Sequence, residues 1–141
     1  MEGELPVWAI GQALDGWYRS LGRKFGPLSR SQRRLMKELE GERPIKVGEL
    51  ADRLALTMAG ATRMVDKLEA LGYVVRFRDP DSDQRYVHVV LTDAGREALR
   101  EADRIYWEKV AQSVSRLSRE DQRRLAQLLR QIAGEGGEAQ R

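Results

Sequence analysis

Residues 46–72, KVGELADRLALTMAGATRMVDKLEALG, set two amphipathic helical segments end to end with almost no chain between them. In the first, Lys46 to Leu54, Leu50, Ala51 and Leu54 fall on one side, and Ala55, Leu56 and Thr57 then turn the chain directly into the second. The second, Thr57 to Leu71, opens on a threonine whose hydroxyl can accept from a free first-turn amide, and closes on Gly72, which tolerates the left-handed conformation that ends helices. Ala61, Val65, Leu68 and Leu71 recur at helical spacing and predict a buried stripe. The opposite face carries Met58, Ala59, Thr62, Arg63, Asp66 and Lys67. Two helices joined by so tight a turn form a helix-turn-helix, a unit whose first helix braces while its second enters the major groove of DNA. Taken alone, the second helix also fits an ordinary amphipathic segment with a solvated polar face. Its neighbours decide between the two.

Upstream, Val7, Ile10, Leu14, Trp17 and Leu21 predict a helix over about 5–25, its apolar arc widened by Trp8, Tyr18 and Phe25. So broad an arc needs more than one neighbour, and a second subunit is one candidate. Ser29 with Gln32 is a capping-box pattern, predicting a helix from Ser29 to Glu40 with Leu35, Met36 and Leu39 inward. Arg30, Arg33 and Arg34 lie near its start, the unfavourable end for cations, so they either face phosphates or are solvated. Pro44 marks a connector, and Val47 stands where a hydroxyl cap belongs, so the helix over 46–54 starts weakly.

Downstream, Tyr73 to Arg78 and Arg85 to Leu91 are rich in valine and aromatics and flank Asp79-Pro80-Asp81-Ser82-Asp83-Gln84, a cluster of turn formers. They predict a hairpin with a projecting tip. His88, the chain's one histidine, alternates with Tyr86 and Val90 and reads as a packing or surface residue. Thr92 caps a long helix reaching about Arg116, with Ala98, Leu99, Ala102, Ile105, Tyr106, Val110, Val114 and Leu117 inward. Ser118 with Asp121 starts a final helix carrying Leu125, Leu128, Leu129 and Ile132, and the segment 134–141 is expected to be a flexible tail.

Composition narrows the chemistry. With 141 residues the chain suits one domain with a real core, and 41% hydrophobic with 33% charged residues describes a soluble globular protein. No apolar run approaches the roughly 20 residues that span a bilayer, and a cytoplasmic location without a membrane partner is expected. The absence of cysteine excludes disulfides and thiol sensing, and with a single histidine it argues against zinc. No phosphate loop, nucleophile elbow or histidine pair is present, so no enzyme and no cofactor is expected. The net charge of +3 favours a polyanion, yet acidic and basic residues are evenly mixed along the chain, so any nucleic-acid contact rests on individual arginines.

Three motifs, LADRLALTMAGATRMVDKLEALGYVVR (50–76), DPDSDQR (79–85) and VVLTDAGREAL (89–99), occur in an order and spacing that closely resemble the MarR family of bacterial transcription regulators. The resemblance covers about residues 5–133. It implies a mainly α winged helix-turn-helix fold, with dimerisation helices over about 5–25 and 93–133, a DNA-binding lobe over about 29–92, and a β-hairpin wing. It implies a homodimer bound to a roughly palindromic double-stranded operator, acting as a repressor that a small aromatic or anionic effector relieves. On that basis Thr57, Met58, Ala59, Thr62 and Arg63 are the recognition-helix contacts, and Arg63 can bridge a guanine edge. Arg85 enters the minor groove with Asp83 orienting it or the turn, and Arg76 and Arg78 are phosphate candidates, Arg76 being held internally by Asp66 or Asp83 in the alternative. Trp8, Trp17, Tyr18, Tyr106 and Trp107 are candidates for an effector pocket, or else plain core or dimer interface. The chain departs from the family pattern at Met58-Ala59-Gly60-Ala61, where polar residues are more usual, so base reading from this turn is expected to be sparse. The rival from another class is a winged-helix module that binds protein, not DNA.

Overall fold

The computed structural model of the chain describes residues 7–41, 43–81 and 85–134. Helix α1 (Val7–Ser20) ends well before residue 25. Lys24–Phe25 (β1) instead pairs antiparallel with Leu28–Ser29 (β2), which corrects the longer helix expected from the apolar spacing. The reason is Phe25, which is fully buried in the hairpin and meets Tyr106 edge-on at 5.3 Å between ring centroids. Helix α2 (Arg30–Glu38) starts at the predicted box: Ser29 Oγ accepts from Gln32 N at 3.1 Å, and Gln32 Oε1 accepts from Ser29 N at 2.9 Å. It stops at Leu39, which like Leu35 and Met36 is buried.

A strand that the sequence did not announce follows. Ile45–Lys46 (β3) pairs with His88–Leu91 (β5), which also pairs with Val74–Phe77 (β4), giving an antiparallel sheet in the order β3-β5-β4. Helix α3 (Val47–Arg53) lacks a side-chain cap, and Val47 is buried in place of a hydroxyl; its amide donates to Val87 O at 3.1 Å. The turn into helix α4 (Met58–Ala70) is closed by Leu56 N donating to Ala51 O at 2.8 Å, and it holds Ala55 at φ 54°, a left-handed conformation that costs a side-chain-bearing residue about 1 kcal/mol. Ala61, Val65 and Leu68 of α4 are fully buried. Leu71, counted inward from its spacing, is 51% exposed, because the helix ends at Ala70 and Leu71 caps it beyond the packed stripe. The strands are shorter than predicted, with Arg85, Tyr86 and Val87 lying ahead of β5.

Helix α5 (Asp93–Ser113) begins at a junction that explains two of the sequence motifs at once. Thr92 Oγ1 accepts from Gly95 N at 3.0 Å and donates to Gly72 O at 2.6 Å, while Thr92 N donates to Tyr73 O at 3.0 Å. Gly72 sits at φ 81°, ending α4 as expected. A Cβ on Gly95 would lie 2.0 Å from Tyr73 O, so only glycine lets the start of α5 close on the chain leaving α4.

The backbone divides into two compact units, residues 22–107 and residues 1–21 with 108–141. The first contains the helix-turn-helix, the sheet and nearly all the buried hydrophobic residues. In the second, α5 ends at Ser113, before Arg116, and Leu117 is 39% exposed, not inward, because it lies in the turn leading to helix α6 (Arg119–Ala133). Ser118 Oγ caps α6 by accepting from Asp121 N at 3.0 Å, as its sequence predicts. Neither α1 nor α6 holds a buried residue: Val7, Ile10 and Leu14 on one, and Leu128, Leu129 and Ile132 on the other, are exposed. The expected flexible tail falls, after Gly134, outside the described residues. Among the described residues no helix is long and apolar enough to cross a membrane.

Candidate nucleic-acid interface

The outer face of α4 is uncovered within its unit. Thr57 caps the helix, its Oγ1 accepting from Gly60 N at 3.0 Å, and a Cβ at Gly60 would come within 3.1 Å of that oxygen. The glycine that looks unfavourable in a helix leaves the Thr57 hydroxyl room beside the first turn. Met58 is 57% exposed, and Ala59 and Arg63 are exposed. Thr62 is half-buried and donates its hydroxyl back to Met58 O at 2.8 Å. Arg63 and Lys67 have no ion pair or hydrogen-bond partner among the described residues, so both cations face solvent.

The root of the wing is bound to α4 by charge. Arg76 on β4 contacts Asp66 at 2.5 Å and Glu69 at 3.0 Å, and its backbone amide donates to the second oxygen of Glu69 at 3.0 Å. The bond to Glu69, with Asp66 assisting, raises the Arg76 pKa. In return the Arg76 guanidinium, and then its amide, hold the Glu69 carboxyl below its ordinary value. Of the two fates considered for Arg76, the structure thus places it in an internal clamp, with Glu69 as a partner that spacing alone did not single out. The clamp also neutralises two carboxylates on a helix that would otherwise repel phosphate.

Arg78 and Arg85 are exposed on either side of the hairpin tip, and Asp81 N donates to Asp79 Oδ1 at 2.9 Å as the tip begins. Asp83 lies outside the described residues. Tyr86 supports two cations, Lys46 Nζ at 4.1 Å from its ring centroid and the Arg85 guanidinium carbon at 5.8 Å. Together with Val47, Gly48, Glu49, Met58 and Val87 these residues line a cleft of about 360 Å³ between the head of α4 and the root of the wing. Glu49, the carboxylate in that cleft, is paired with Arg53 at 2.7 Å. Sequence reasoning missed Lys46 here because the residue was read as part of a helix; the short strand β3 is what brings it beneath Tyr86. His88 is buried at the same root and stacks on Phe77 at 5.9 Å, the packing role its position suggested.

Arg33, a phosphate-facing candidate by its place near the start of α2, is instead buried. Its Nε lies 2.7 Å from Asp103, its guanidinium carbon 3.8 Å from the Tyr106 ring centroid, and Lys37 reaches the other Asp103 oxygen at 3.0 Å. Arg30 donates to Gly22 O, and Arg34 is exposed. Tyr106 is thereby fixed between Phe25 and Arg33, with Trp107 at 5.1 Å and 58% exposed. The other three aromatics belong to the second unit. There Trp8 and Tyr18 are exposed, and Trp17 Nε1 donates to Ser113 Oγ at 2.8 Å at the edge of an open cleft of about 520 Å³, lined also by Ser20, Lys109, Gln112 and Arg116.

The model of the MarR family matches residues 28–87. YkoM of Bacillus subtilis (strain 168), an HTH-type transcriptional regulator, is 38% identical over 87 residues, which are 62% of this chain and 56% of that protein. The transcriptional repressor MprA of Escherichia coli (strain K12) is 34% identical over 95 residues, 67% of this chain and 53% of that one. The chain thus spans about half the length of these two relatives. Among solved structures, the transcriptional repressor CouR bound to a 23-mer DNA duplex superimposes with a TM-score of 0.78 at 26% identity, over 92% of each chain. Family model, relatives and fold coincide on the winged helix-turn-helix built above from its caps, its sheet and its Thr92 junction, and the chain belongs to the MarR family.

Proposed function

We propose that this chain is a sequence-specific, double-stranded DNA-binding transcription regulator that works as a homodimer and represses until a small molecule releases it. The observation that carries the reading is the uncovered outer face of α4 beside a wing whose root displays Lys46 and Arg85. A second helix so presented fits the major groove, with Thr57, Ala59 and Arg63 toward the bases and Arg85 toward the adjacent minor groove. One backbone strand separates those two grooves, and the cleft lined by Lys46, Tyr86 and Arg85 is where it would pass. CouR, the structural neighbour solved on duplex DNA, supports the same reading. The exposed apolar faces of α1 and α6 support pairing of two copies, since apolar surface of this extent on a soluble protein marks an interface. In a twofold pair the recognition helices would meet successive major grooves about 34 Å apart.

Effector release belongs to the same proposal. The cleft beside Trp17 offers an indole next to Lys109 and Arg116, a setting suited to an aromatic carboxylate. The test begins by selecting genomic fragments that the chain binds and titrating the best of them in a gel shift. A palindromic site bound far more tightly than random duplex is expected, with affinity falling steeply as salt rises. Equal affinity for random duplex, or a flat salt response, would refute DNA recognition. A panel of aromatic carboxylates that changes neither tryptophan fluorescence nor operator affinity would refute the effector.

A further inference from the structure

The head of α4 is poor in hydrogen-bonding side chains, and what it lacks restricts what it can read. Met58 is 57% exposed and Ala59 is exposed, Gly60 has no side chain, and the Thr62 hydroxyl is already given to Met58 O at 2.8 Å. Thr57 accepts from Gly60 N and lies at the cap. Arg63 is therefore the first side chain within the helix whose donors are all available. A recognition helix places its N-terminal residues against base edges. In the major groove guanine presents two acceptors, adenine an acceptor and a donor, cytosine a donor, and thymine an acceptor beside a methyl group. A polar edge covered by Met58 and Ala59 would lose water and gain no partner, which is unfavourable. The thymine methyl is the one group that gains from apolar cover.

Resting on the DNA-binding reading above, we propose that the first turn of α4 reads the 5-methyl group of thymine through Met58 and Ala59, while Arg63 reads guanine. Ala59 and Arg63 stand four residues apart on one stripe, about 6 Å along the axis at 1.5 Å per residue. Base steps are about 3.4 Å. Each half-site therefore carries a thymine and a guanine within about two base pairs of one another.

The experiment uses the full chain and an operator selected from a random duplex library. Each thymine of a half-site is replaced singly by deoxyuridine, which removes only the methyl. At one position per half-site the wild-type affinity should fall about fourfold, the factor expected for one methyl taken out of contact. In Met58→Ala, an exposed substitution whose folding a thermal melt checks, that ratio should drop below about twofold, the coupling that a double-mutant cycle between side chain and methyl reads. If the wild-type chain binds its selected duplex but no thymine is sensitive to methyl loss, or the ratio is the same in Met58→Ala and Ala59→Gly, methyl reading is overturned while DNA recognition stands. If no duplex is enriched at all, the underlying DNA-binding reading falls with it.

Discussion

A guanidinium held by the protein's own carboxylates is poorly placed to serve a nucleic-acid partner, and this chain sorts its arginines clearly. Arg33 is held by Asp103 and Tyr106, and Arg76 by Asp66 and Glu69, whereas Arg63 faces solvent without a partner among the described residues. Three substitutions therefore have different outcomes. Arg63→Ala should leave the melting temperature unchanged, weaken the operator by about 1–3 kcal/mol and relax preference at a single base pair, since a bidentate guanine contact has that magnitude; an equal loss on every sequence in a binding-site selection would make it a phosphate contact instead. Arg85→Ala should weaken the operator more than about tenfold at moderate salt, as a gel-shift titration would reveal. Arg33→Ala should do the reverse. It should cost about 2 kcal/mol of stability in a denaturant titration, because Asp103 is left with Lys37 alone, while operator affinity per folded molecule stays the same. A sequence cannot separate these cases, because Arg33 and Arg34 are adjacent and differ only in which side of α2 meets Asp103.

At the scale of elements, two ties hold α4 to its neighbours, and each makes a prediction. The first is the Glu69–Arg76 clamp between α4 and β4. Glu69 has its carboxyl lowered in the folded chain from an ordinary value of 4.5, so its contribution is complete above that value and is lost as pH falls through the depressed one. Glu69→Gln should therefore melt earlier than wild type near neutrality, with the gap closing only in the acid range below about pH 4.5; a gap constant from pH 7 to 3 would mean that the charge is irrelevant. The second tie is the Thr92 junction, where Gly95→Ala drives a methyl into Tyr73 O and should cost about 3 kcal/mol, measurable by urea titration. Much of this was legible. Thr57, Ser29 and Ser118 cap the helices their positions predicted, because a cap is a local contact written within four residues. What was not legible depended on distant partners: β3 forms only because β5 comes to lie beside it, α1 stops because Phe25 is drawn into a hairpin, and Glu69 meets Arg76 only once the wing folds back. In the candidate site, the exposure of Met58, Ala59 and Arg63 on α4 and of Arg85 on the wing could be read directly, whereas the placing of Lys46 beneath Tyr86 needed the sheet.

For the whole molecule the decisive quantity is how few cations surround the site. A net charge of +3 with acidic and basic residues interspersed gives little general attraction to a polyanion, so the salt dependence of binding should count specific contacts. Lys46, Arg63, Lys67, Arg78 and Arg85 are the cations around the site, and in a twofold pair they make about ten contacts at most, for a limiting slope of log affinity against log salt near −9. Lys46→Gln should reduce that slope by about two, one contact from each copy, and lower affinity for all sequences alike. Charges placed on the exposed apolar faces of the other unit, Leu14→Glu with Ile132→Glu, should leave the helix-turn-helix folded but separate the copies, because burying a carboxylate in an apolar interface is strongly unfavourable. Sedimentation should then report a monomer, and anisotropy titrations on the same operator should give about half the wild-type slope with affinity lower by orders of magnitude, since one protomer reads one half-site. A variant that stays dimeric would move the interface elsewhere on the surface. A monomer that keeps the full slope would mean that every contact comes from a single copy, and pairing would then contribute nothing to recognition.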